Sequence, residues 1–306
     1  MLSNIVLYSR ALRLSVIGAI KENLLIYGGY AAYTSILAIF PFIIFLVALS
    51  SVLGNAELAE ILIDKSFRVM PPEVVETLAP IIREIMENRD GTVLGFAAVG
   101  TLWVASSGIE GLRFGLNNMY KVREPRPLWK RRLQGVWFVL LCAFGFLIIA
   151  TALIIWPLIE TWLGSTLPFL NSGSLSFVRY SIAFLLLATG MSMMYFFLPN
   201  VKQRWREVYP GAFVASILWV GLASIFSYYI ANFGNFATRY GSIAGVIITL
   251  VFLHFSASAM LFGGQFNAIL KRVRNKQTGE KIKEIYDHEG NEIAEDEKSD
   301  SEMPPS

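Results

Sequence analysis

The sequence predicts an all-α polytopic membrane protein, with six transmembrane helices and amphipathic helices at the interfaces. Six long apolar runs divide the 306 residues, at about 28–53, 93–116, 133–163, 177–198, 211–233 and 242–270. Each has the roughly 20 residues that a helix needs to cross about 30 Å of hydrocarbon. Apolar residues make up 55% of the chain and mean hydropathy is +0.53, more apolar surface than a water-soluble domain can hide, so lipid solvates part of it. Nineteen Lys and Arg residues lie before the first run, in the second and fourth gaps and after the last run, against five in the other gaps. The positive-inside rule then places both termini in the cytoplasm.

Taken in order, residues 1–22 mix aliphatics with Arg10 and Arg13 and read as an amphipathic helix at the cytoplasmic interface. Residues 23–270 form the membrane domain. Its first run carries Pro41, which removes a backbone hydrogen bond and predicts a kink. The 55–90 segment is the one large outer gap; Val74, Val75, Leu78, Ile81, Ile82 and Ile85 recur there at helical spacing and predict amphipathic helices. It holds eight acidic and four basic residues, so its face is net negative; it reads as an interfacial cap, with a gate or docking surface as the alternative. The over-long third run holds Pro157, a second predicted kink, with Trp156 and Trp162 where an aromatic belt belongs. Residues 271–306 are basic and then acidic, and read as a largely disordered, solvated tail. The single cysteine, Cys142, excludes an internal disulfide and reads as a small packing residue of the third run. Gly111 and Gly115, like Gly91 with Gly95 and Gly241 with Gly245, have the four-residue spacing that lets helix backbones approach closely.

Ionisable groups inside hydrocarbon are costly, so each needs a reason. Glu110 and Arg113 lie three residues apart near the cytoplasmic end of the second run, spaced either to neutralise each other or to line a cavity. His254 is nearly central in the sixth run, with Gln265 and Asn267 towards its cytoplasmic end. These five form a candidate polar pathway. Phosphate-binding loops, dinucleotide fingerprints and His-Glu-x-x-His are missing, and two histidines and one cysteine leave almost no ligands for a zinc site. The sequence therefore calls for no cofactor, no metal and no catalytic residue, and reads as a non-enzyme. A partial match of Ser106-Ser107-Gly108 with His254 to an intramembrane Ser–His protease pair is a remote alternative, weakened by Ala105 where that motif opens with Gly. The partners implied are membrane lipids, with anionic headgroups against the basic cytoplasmic loops, and not nucleic acid. A homo-oligomer is a further partner to test, on which the small-residue spacing, common in any helix bundle, says little.

Several segments resemble the BrkB/YihY family of bacterial inner-membrane proteins, from about Leu24 to Leu270. They are Ala31 to Pro41 (AAYTSILAIFP), Tyr195 to Pro199 (YFFLP) with Pro210-Gly211-Ala212, and Tyr240 to Gly245 (YGSIAG) with Gly263 to Ala268 (GGQFNA). The resemblance implies a multi-pass protein of the bacterial inner membrane. It also implies an acidic residue where this chain has Gln265, and Gln cannot titrate. The family has carried a ribonuclease label, for which this sequence offers neither a carboxylate cluster nor a general-base histidine on the cytoplasmic face of the folded region. Transport or export of a small or amphiphilic solute is the leading functional expectation, and a non-transporting envelope scaffold is the alternative.

Overall fold

The computed structural model describes residues 2–52, 79–80, 99–166, 172–232 and 235–278. Among these the regular structure is helical throughout, with no strand. The named helices are α1 (Leu2–Lys21), α2 (Leu24–Val52), α3 (Ser107–Tyr120), α4 (Leu128–Thr166), α5 (Ser172–Phe197), α6 (Trp205–Asn232) and α7 (Asn235–Thr278). Residues 99–105 are also helical and lead into α3 through a turn at Ser106. Helices are the expected answer of a chain this apolar, because in lipid each backbone N–H and C=O must find its partner within the segment.

Over its described part, each of the six apolar runs falls on a helix. By length and composition, three stretches among the described residues can cross a membrane: Phe177–Phe197, Trp205–Ile230 and Val246–Asn275. Leu24–Ile39 is a shorter apolar stretch. The all-α membrane class is therefore established, and the count of six rests on the runs themselves. α2 continues through Pro41, and Pro157 lies within α4. Apart from 79–80, the predicted outer helices of 55–90 lie outside the described residues, as does the tail beyond Thr278. α7 runs eight residues past the apolar limit at Leu270, so the basic start of the tail is helical.

α7 is the axis of the molecule. It packs along α6, α2, α1 and α3, while α2 also packs on α3 and α5 on α6. Glycine permits these approaches. A Cβ on Gly108 would lie 2.9 Å from that of Ala38, and one on Gly115 would lie 2.7 Å from Leu261 Cδ2. Cβ atoms on Gly111 and Gly211 would overlap Thr34 of α2 and the Gly263 carbonyl of α7. Gly111 and Gly115 thus do bring backbones together, as their spacing predicts. The main core is apolar and shared among Leu116, Met119, Met194, Tyr195, Leu198, Val208 and Leu261. A smaller cluster seats Leu7 and Ala11 of α1 on Phe266, Leu270 and Val273 of α7. Cys142 is exposed on α4 and not packed inside. In a membrane the apolar exterior is solvated by lipid, so an exposed thiol there costs nothing in buried volume.

Candidate functional site

His254, Ser258, Leu261 and Gln265 recur at helical spacing and share one face of α7. Eleven residues at 1.5 Å each make this stripe about 16 Å long. The neighbouring helices receive it on glycines. A Cβ on Gly29 of α2 would lie 3.5 Å from His254 Nδ1, one on Gly28 would overlap Ser258 Oγ, and one on Gly18 of α1 would lie 2.8 Å from Gln265 Nε2. Ser258 donates its hydroxyl to the His254 carbonyl at 2.8 Å. Gln265 is fully buried; its Nε2 donates to Glu22 Oε2 at 3.4 Å, and its Oε1 is a buried acceptor with no partner. Glu22 also meets Lys121 Nζ at 3.2 Å. The stripe therefore ends on an ion pair at the α1–α2 junction.

Asn267 is two residues on, so it faces the other way. Its Oδ1 accepts from the Gly211 N–H at 2.7 Å and its Nδ2 donates to the Val208 carbonyl at 3.0 Å. Both partners flank Pro210, which has no N–H to give. Asn267 thus bonds α7 to the part of α6 where proline interrupts the backbone ladder.

Glu110 and Arg113 form a third, separate group. The Glu110 carboxylate takes Arg113 Nη1 on Oε2 and Arg131 Nη1 on Oε1, the latter at 2.9 Å. Arg113 Nη2 donates to the Arg131 carbonyl at 3.0 Å. The pair predicted within one helix is real, but α4 supplies a second guanidinium to the same carboxylate. Of the five predicted pathway residues, the fold aligns His254 with Gln265, bonds Glu110 to Arg113, and turns Asn267 towards α6. Ser107 gives its hydroxyl to the Val104 carbonyl at 2.7 Å within its own turn and not to His254.

A further network was not read from the sequence. Asn117 is buried; its Nδ2 donates to Glu124 Oε2 at 2.8 Å and its Oδ1 accepts from the Asn200 N–H at 2.9 Å. Arg126 holds Glu124 with both Nε and Nη2, and spans to Gln134 Oε1 at 3.1 Å and to the Leu198 carbonyl at 2.8 Å. The 121–127 loop is thereby tied to α3, α4 and α5. Burial works against ionisation of Glu124, but hydrogen bonds from Arg126 and Asn117 outweigh it and hold the carboxyl below its usual range. The available signal was Glu124 itself, the one acid among the six bases of 121–132. Among the described residues no group of three His, Cys, Asp or Glu comes together as metal ligands would.

The family model "Virulence factor BrkB" matches residues 19–284. The chain is 29% identical over 245 residues to a Bacillus subtilis (strain 168) protein named "Putative ribonuclease-like protein YfkH", covering 79% of this chain and 88% of that one. It is 25% identical over 267 residues to the "UPF0761 membrane protein PSHAa0171" of Pseudoalteromonas translucida (strain TAC 125), covering 85% and 86%. It is also 25% identical over 256 residues to a UPF0761 membrane protein of Alteromonas mediterranea, covering 82% and 84%. No solved structure gives a significant match. With the match spanning the helices that carry the stripe, the Asn267 bond and the arginine group, this chain belongs to the BrkB family of membrane proteins.

Proposed function

We propose that the protein is a transporter or exporter of a small or amphiphilic solute in the bacterial inner membrane, with six crossings and both termini cytoplasmic. One observation carries this: a face of the central helix about 16 Å long that carries His254, Ser258 and Gln265 about the core residue Leu261, is seated on glycines and holds an unpartnered buried acceptor at Gln265. Polar groups at membrane depth are expensive, and those that a fold retains there mark solute or ion paths. Glycine contacts leave few side chains to unpack when α1 and α2 shift against α7, so the stripe can be exposed at small cost. Gln265 offers hydrogen bonds but no proton exchange, which leaves His254 as the titratable member of the stripe within α7.

The test uses the full chain with Cys142→Ala, single cysteines at His254, Ser258 and Gln265, and a loop control, Arg123→Cys. A membrane-impermeant maleimide is applied to intact cells and to inverted vesicles. Labelling at His254 and Gln265 marks a hydrated path, and its sidedness shows which way the path opens. The Arg123→Cys control should react only in inverted vesicles. Silence along the stripe beside a labelled control describes a dry bundle and rules transport by this route out.

A further inference from the structure

We infer that the start of α4 and the end of the membrane-embedded part of α3 form a binding site for a phosphate group. This does not depend on transport; it concerns the other end of the polar inventory. The Arg113 side chain is 1% exposed, yet its Nε–H has no partner. The Nε of Arg131 is likewise a buried donor without an acceptor. A buried guanidinium donor left unmade costs free energy on the scale of a lost charged hydrogen bond, so two in one cluster point to an acceptor that occupies the place in use.

Geometry says where the acceptor belongs. In a guanidinium the Nε–H and Nη2 lie along one edge. Arg113 Nη2 already donates to the Arg131 carbonyl, so its free Nε–H faces the first turns of α4. Those turns carry Lys130, Arg131 and Arg132 at the positive end of the helix dipole. Arg132 Nη1 reaches Ser106 Oγ at 3.4 Å, and its guanidinium stands 5.8 Å from the centre of the exposed Trp103 ring.

Charge says what the acceptor is. Arg113 and Arg131 share one carboxylate, Glu110, both of whose oxygens are already taken, Arg132 stands beside them at Ser106, and the nearby Glu124 is held by Arg126. The group therefore keeps a positive excess that a water molecule would not answer and an oxyanion would. Guanidinium edges match phosphate oxygens in geometry as well as in charge. Arg131 and Glu110 remain 25% and 26% exposed, so the cluster is open to a ligand from outside. The group recognised is a phosphate oxyanion, supplied either by a lipid headgroup or by free phosphate.

The experiment follows thermal unfolding of the full-length protein in maltoside micelles. It is titrated with short-chain phosphatidic acid, with diacylglycerol of the same chains, and with inorganic phosphate. Saturable stabilisation by both phosphate-bearing probes identifies free phosphate as sufficient; stabilisation by phosphatidic acid alone identifies a lipid headgroup. Arg131→Gln leaves Arg113 and Glu110 paired one to one and should weaken binding about tenfold, the worth of one charged hydrogen bond. Should that variant not fold, Arg131→Lys keeps the charge, removes the Nε–H and should weaken binding by a smaller factor. Glu110→Gln removes the competing anion and should tighten binding. Arg206→Gln, an exposed cation at the start of α6, should change nothing. Equal stabilisation by diacylglycerol, no saturable effect from any probe, or equal weakening by Arg206→Gln would overturn the site.

Discussion

At the scale of single residues, backbone proximity decides what a glycine is worth. A Cβ on Gly211 would overlap the carbonyl oxygen of Gly263, and neither backbone can move aside cheaply because Asn267 bonds the same turn. Gly211→Ala should therefore lower stability by about 1–3 kcal/mol, the range for overpacking a filled site. Gly100 meets nothing within 4 Å among the described residues, so Gly100→Ala should be neutral or raise stability by up to about 1 kcal/mol through helix propensity. Thermal unfolding in maltoside micelles separates the two, and equal effects would mean that propensity outweighs packing at Gly211. The sequence marked Gly111 and Gly115 by their four-residue spacing but singled out neither Gly100 nor Gly211 in this way, since what the partner helix brings opposite is not written in the segment itself.

At the scale of elements, the 121–127 loop is held by Glu124 and Arg126 against three helices. The folded carboxyl titrates below its ordinary value of 4.5. A depressed folded pKa means that its stabilisation is complete above the unfolded value and is lost as pH falls through the folded one. Unfolding midpoints of the natural protein should thus fall as pH drops below 4.5. Glu124→Gln should be less stable at neutral pH and lose part of that acid dependence. An unchanged slope in Glu124→Gln would assign the acid sensitivity to other groups. This loop was read only as a band of topogenic charge, because the sequence shows the excess of cations and not the hydrogen bonds from Arg126 to Gln134 and Leu198.

At the scale of the whole molecule, lipid replaces a second protein layer. Large apolar side chains such as Ile148, Leu185, Ile217 and Ile225 point outwards, as they must where hydrocarbon is the solvent. Cys142 belongs to that exterior. It should react with a small hydrophobic maleimide in intact membranes and stay silent towards an impermeant one until detergent is added. Reaction with the impermeant reagent in native membranes would place this part of α4 against water.

The sequence by itself determined the solvent, the helical class and the expected side for the basic loops. Hydrophobic length and charge bias are one-dimensional properties, and the bilayer reads them without knowing the fold. It also paired Glu110 with Arg113, because i,i+3 neighbours meet on any helix. Only the tertiary structure decided that Arg131 joins that pair, that Gln265 faces α1 beside His254's stripe, and that Asn267 braces α6 instead. Those outcomes depend on how α7 is rotated against four neighbours, and helix rotation is set by glycine contacts distant in sequence that no single segment contains.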